Sequence, residues 1–161
     1  MKILGEKGIA SVIKRLLQAL FIIGIIIMLG FPIVGMHYVT SHMIEQSAFE
    51  IAYPIVIIYF TGVPALAIVY EFIKLFGLLK QNQPFVGETV EYLKNASTCS
   101  FIIVIAYAII VAISSYFWHT SIMLYSVIVV GIFSIAWIGL YILAELFKQA
   151  ISYKEENDLT I

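Results

Sequence analysis

The sequence predicts an all-α integral membrane protein, a four-helix bundle with its N- and C-termini both on the cytoplasmic side. Three observations predict it. Of 161 residues, 62% are hydrophobic and only 12% are charged, whereas a soluble domain is about half apolar and about a quarter charged. Such a chain cannot cover its surface with polar groups, so lipid is its solvent. Four apolar runs are each long enough to cross a hydrocarbon layer ~30 Å thick at 1.5 Å per helical residue. The basic residues all fall on one side of those runs, as the positive-inside rule expects of a multi-pass protein.

The first run covers residues 16–35. It follows Lys2, Lys7, Lys14 and Arg15, an arrangement shared with signal peptides. It exceeds the usual apolar core of a signal peptide, about 7–15 residues, and no A-x-A site closes it, so a retained span is expected. The second run, residues 53–79, is long enough to tilt. The third and fourth cover residues 99–117 and 122–147. Helices are the expected form, because backbone groups in lipid must be satisfied within the segment. The runs also lack the period-two alternation of barrel strands.

Lys74, Lys80 and Lys94 lie at or between the facing ends of spans two and three, and Lys148 and Lys154 follow span four. Residues 36–52 and 118–121 contain no Lys or Arg. This bias places both termini and the central loop in the cytoplasm. His37, His42, Glu45, Glu50 and His119 then face outside, and Tyr38, Tyr53, Trp118 and Tyr125 form an outer aromatic belt.

The whole chain, residues 1–161, reads as one transmembrane domain. Its central loop, residues 80–98, has its own pattern. From Pro84, apolar Val86, Val90 and Leu93 recur at i, i+4, i+7, with Glu88, Glu91, Lys94 and Asn95 on the other face. This predicts a short amphipathic helix lying on the inner membrane surface and leading into span three. Residues 148–161 read as an acidic cytoplasmic tail. Because lipid gives no hydrophobic drive to pair helices, small residues should mark the contacts. Ala108, Ala112 and Ser115 form such a stripe on span three. Gly131 and Ser134, and Ala136 and Gly139, form two on span four.

Several chemistries are excluded or unsupported. One cysteine, Cys99, permits no intrachain disulfide. There is no P-loop, no G-x-G-x-x-G, no G-x-S-x-G and no zinc spacing of His and Cys. Ser, Thr and Cys in the spans have no intramembrane His or Asp to activate them. The expectation is a non-enzyme without a cofactor, catalytic residue or metal site, and without direct contact to nucleic acid.

Candidate functional residues are few. Glu71 and Lys74 close span two, and Glu145 and Lys148 close span four, both at i, i+3, the spacing of an ion pair on one helix face. They read either as a proton or cation site between hairpins or as interfacial anchors whose charged heads reach water. The lack of charge at mid-depth favours anchoring. Pro64 lies deep in span two and leaves the Phe60 carbonyl without its usual donor. It reads as a binding crevice or hinge, or as a packing kink satisfied by Thr61 or a neighbouring helix.

At the central loop and the tail the chain resembles a family. Pro84-Phe85, then Glu88 and Leu93, and the ending Glu155-Glu156-Asn157-Asp158-Leu159-Thr160-Ile161 are similar to the bacterial domain-of-unknown-function family numbered twenty-nine seventy-five. Thr89 stands where the family pattern has asparagine. The resemblance implies a four-span protein of this length in the bacterial cell (inner) membrane, from a family often encoded beside a small helix-turn-helix regulator. Asp158, Leu159, Thr160 and Ile161, acidic and then apolar, are candidate docking residues for the protein itself or for a small cytoplasmic regulator, and Pro84, Phe85, Glu88 and Leu93 are the next candidates. The expected function is a non-enzymatic membrane sensor or regulatory module. Alternatives are a transporter or efflux subunit working as a homo-oligomer, and self-protection against a membrane-active peptide.

Overall fold

The computed structural model describes residues 8–42, 48–117 and 122–158. They form four α-helices: α1 (Ile9–His42), α2 (Ala48–Lys80), α3 (Gly87–Phe117) and α4 (Ile122–Asp158). The described residues contain no strand. All four helices are long and apolar enough to cross a membrane. At 1.5 Å per residue each measures roughly 45–55 Å, well beyond a ~30 Å core. The helices therefore overrun the apolar runs, because ending a helix inside lipid would strand its terminal N–H and C=O groups.

The helices pack in chain order. α1 lies on α2, α2 on α3 and α3 on α4; among the described residues α1 meets neither α3 nor α4, and α2 does not meet α4. The bundle is an open row, and many large apolar side chains face outward on α1 and α4, where lipid covers them at no hydrophobic cost. Antiparallel packing gathers Lys14, Arg15, Lys74, Lys80, Lys94, Lys148 and Lys154 at one end of the row.

Three glycines let α1 and α2 approach. A Cβ on Gly24 would lie 2.6 Å from Leu66, one on Gly62 would lie 3.2 Å from the Met28 sulfur, and one on Gly77 would lie 3.0 Å from the Lys14 ammonium. Each glycine thus seats a side chain of the facing helix, the small-residue contact that membrane helices rely on. The α3–α4 contact is built differently. Thr89, Leu93, Ala96, Ser97, Ser100, Ile103, Ala106 and Ile110 are buried along one side of α3, and Ser126 and Ala144 are buried on α4.

Two sequence expectations change here. Residues 87–98 are not a separate surface helix: they are the first turns of α3, continuous with its span. The amphipathic pattern is real, with Leu93 buried and Glu88, Glu91 and Asn95 exposed. Its apolar side is spent within the protein, along the stripe that α3 buries, rather than on the membrane surface. The stripe of small residues on span three is also misplaced. Ala108 and Ala112 are exposed and Ala106 is buried; two residues along a helix is a rotation of about 200°, so the stripe lies on the opposite side. The side chain of Ser115 lies outside the described residues. On α4, Gly131 and Gly139 are likewise exposed, with open space around them.

The α2–α3 turn is short and ordered. Gln83 N–H donates to the Leu78 carbonyl and Asn82 N–H to the Leu79 carbonyl, which is a Schellman cap. Asn82 holds the left-handed conformation it needs, with φ 59°, and Pro84 follows, where it cannot prolong the helix. On the other side the Thr89 hydroxyl donates to the Pro84 carbonyl, 2.9 Å away.

Pro32 lies inside α1, and its missing N–H removes the donor that the Met28 carbonyl would have. The Tyr59 hydroxyl of α2 supplies a substitute at 3.1 Å. Unsatisfied carbonyls are costly in lipid, so Tyr59→Phe should destabilise the protein by about 0.6–1.7 kcal/mol in unfolding from detergent micelles. In a Pro32→Ala background, where residue 32 regains an N–H, the same change should cost much less.

Candidate functional site

Among the described residues, the ion pairs Glu71–Lys74 and Lys94–Glu145 lie at the charged end of the row. On α2, Lys74 Nζ is 2.6 Å from Glu71 Oε2, the i, i+3 pair that the spacing predicts. Glu71 is the more enclosed partner, its side chain 12% exposed against 29% for Lys74. The Oε2 atom is shielded from solvent and has no well-angled hydrogen bond, so charge attraction is what holds it. Lys74 also spans two helices: its ammonium is 4.9 Å from the Tyr70 ring centre and 4.3 Å from that of Tyr92 on α3. Cation–π contact of this kind strengthens when the cation is partly desolvated. Tyr70 in turn meets Phe21 of α1 at 6.0 Å. One lysine and one tyrosine thus link α1, α2 and α3 at a single level.

The second pair differs from the local spacing. Glu145 pairs across the helix contact with Lys94 of α3, 2.8 Å away; its own-helix neighbour Lys148 acts on it only through its charge. The two helices touch there, and the carboxylate turns to the facing ammonium rather than to the one a turn away on its own helix. Both side chains are more than a third or close to a third exposed, and such pairs contribute little to stability. Below them Phe85 stacks on Phe147, ring centres 5.8 Å apart, and holds the turn against α4. Phe85 nonetheless stays largely exposed, as does Tyr153 near the end of α4. Residues 152–157 of α4 are all exposed.

Of the sequence-predicted docking residues, Leu93 is fully buried and is a packing residue. Pro84 accepts the Thr89 bond and Glu88 is exposed in the first turn of α3. The side chain of Asp158, and Leu159, Thr160 and Ile161 altogether, lie outside the described residues. So do Glu45, His119 and the side chain of His42; His37 is exposed on α1. Among the described residues no three His, Cys, Asp or Glu side chains come together to hold a metal ion.

Pro64 lies about 10 Å along α2 from Glu71, far from the charged end. The Thr61 hydroxyl donates to the Ile57 carbonyl at 2.8 Å and not to Phe60, so it does not satisfy the carbonyl that Pro64 frees. Pro64 lines a shallow apolar groove together with Phe60, Val63 and Ile102 of α3. Deeper toward the charged end the hydroxyls are spent inside the protein. Ser97 donates to the Trp137 carbonyl across the α3–α4 contact at 3.0 Å, Thr98 to Lys94 and Ser100 to Ala96. The Pro32–Tyr59 arrangement and the Lys94–Glu145 pair escaped sequence reasoning. Pro32 was visible as a proline within an apolar run; Lys94 was visible only as a charge.

Residues 36–161 match the family described as Protein of unknown function (DUF2975). The chain is 33% identical over 109 residues to the uncharacterized membrane protein YoaS of Bacillus subtilis (strain 168), a match covering 65% of this chain and 68% of that protein. No solved structure matches it.

The Glu71–Lys74 pair generates a test. Removing only the cation, in Lys74→Met, strands an enclosed carboxylate and should lower the melting temperature clearly. Lys74→Met with Glu71→Gln should recover most of that loss. Equal melting of the single and double variants would mean that Glu71 is well hydrated.

Proposed function

This chain belongs to the DUF2975 family of membrane proteins, and we propose that it is a non-enzymatic sensor or regulatory module of the bacterial cell membrane. It reports to a cytoplasmic partner, and a small helix-turn-helix regulator is the partner that the family resemblance suggests. In this reading the charged end of the row is cytoplasmic, as the distribution of Lys and Arg indicates.

One observation carries the reading: the distribution of polar groups. No Asp, Glu, Lys or Arg occurs in residues 16–35, 53–70, 99–117 or 122–144. Five hydroxyls of the spans, those of Tyr59, Thr61, Ser97, Thr98 and Ser100, each donate to a backbone carbonyl. A transport pathway needs polar or ionisable groups free to exchange partners near mid-depth, and these groups are already engaged. The Lys94–Glu145 pair and the Lys74–Tyr92 contact instead fasten helix to helix at one end, where Phe85, Glu88, Tyr153, Glu155 and Glu156 are exposed. Exposed aromatic rings beside charge suit a protein contact better than a lipid one, since the inner leaflet is itself negative.

Reporter fusions after Lys94 and at the C-terminus should read cytoplasmic, and one near Glu45 external. Deleting Asp158–Ile161 should leave membrane insertion intact and abolish capture of the cytoplasmic partner from detergent extracts. Full capture by the truncated protein would exclude the tail as the contact, and an external reading after Lys94 would overturn the orientation.

A further inference from the structure

We propose that the groove between α2 and α3 is a binding site for one acyl chain of a membrane phospholipid. The inference is independent of the regulatory reading. The groove runs along α2 from Ile55 to Pro64, is walled on α3 by Ile102, and offers about 530 Å³ of space, open on its outer side. It exists because the helices stand in an open row: α2 has α1 on one side and α3 on the other, so its Val56, Phe60 and Val63 face is left exposed. In a closed bundle the opposite helix would fill it.

Three features identify the occupant. The groove lies within the apolar part of the α2 and α3 spans, so what reaches it comes from the hydrocarbon layer. Its lining offers no free polar side chain, because the Tyr59 hydroxyl, the only one there, is already bound to the Met28 carbonyl. The ligand is therefore an uncharged hydrocarbon segment along this stretch. The lining is also made of Ile, Val, Phe, Tyr and Pro, with no Gly, Ala or Ser. Membrane helices approach each other over small residues, and the glycines that serve this purpose in α2, Gly62 and Gly77, already face α1. A second copy of the chain would find no such seat here, whereas a flexible chain can follow a bulky, uneven furrow.

The test uses the full-length protein extracted from membranes in mild detergent and weighed intact by native mass spectrometry. The wild type should retain a phospholipid through detergent exchange. Val63→Trp and Ile102→Trp, which fill the groove, should lose it. Ile135→Trp, on the outward face of α4 where the side chain is 76% exposed, should retain it. A photoreactive side chain at Val56 supplies a second readout that does not fill the groove: it should yield a lipid adduct that persists in detergent. A wild type without retained lipid, equal loss in all three Trp variants, or a chain-to-chain crosslink from position 56 would each overturn the assignment.

Discussion

The hydrocarbon layer offers a backbone no hydrogen-bond partner, and the rest of this structure follows from that. Each N–H and C=O must be satisfied by the helix that carries it or by a neighbour. At one proline that breaks the pattern, the protein finds a donor on a neighbouring helix. Pro32 frees the Met28 carbonyl, and Tyr59 reaches across from α2 to meet it. The same constraint explains why all four helices continue past their apolar runs, and why the hydroxyls of Ser97, Thr98 and Ser100 turn to carbonyls. A hydroxyl committed in this way has given its one hydrogen to the protein and has none to donate to a solute.

Lipid also removes the hydrophobic drive that would close a soluble bundle. Contacts form only where shape or a polar pair favours them. Glycine seats join α1 to α2, the Lys74 ammonium over Tyr92 joins α2 to α3, and a long buried stripe with the Lys94–Glu145 pair joins α3 to α4. Nothing among the described residues draws α1 to α4, so the row stays open. The α3–α4 hairpin is the most enclosed part, and its charged end continues through the turn at Phe85 into the exposed end of α4. A displacement of α1 or α2 within the membrane can reach that hairpin through Lys74 and Tyr92, the contacts placed beside the charged end. In the proposed regulatory reading, that linkage is the route by which a signal would pass.

The spans were legible because hydropathy over twenty residues is a strong signal, and the Glu71–Lys74 pair was legible because it is local. The facing of each helix was not. An apolar side reads the same whether it meets lipid or another helix, so the Val86–Val90–Leu93 pattern was correctly periodic and wrongly placed on the membrane surface. The span-three stripe failed for the same reason. Ala106 and Ala108 are equally small, and only packing against a neighbour decides which is buried. Glu145 had candidate partners on its own helix and on α3, and sequence spacing sees only the first. The donor for the Met28 carbonyl depends on the register of α1 against α2, which no single-chain pattern encodes.

The central claim is that the spans carry no charged side chain at mid-depth and that the hydroxyls of Tyr59, Thr61, Ser97, Thr98 and Ser100 are donated to the protein's own backbone, which favours a regulatory module over a conducting one. Ion flux through the purified protein in sealed liposomes tests this most directly. With a proton or potassium gradient imposed, the account predicts a leak no greater than that of protein-free liposomes. A gradient-driven flux that appears with the wild-type protein and disappears in Glu71→Gln would contradict it, and would make the Glu71–Lys74 pair part of a transport path.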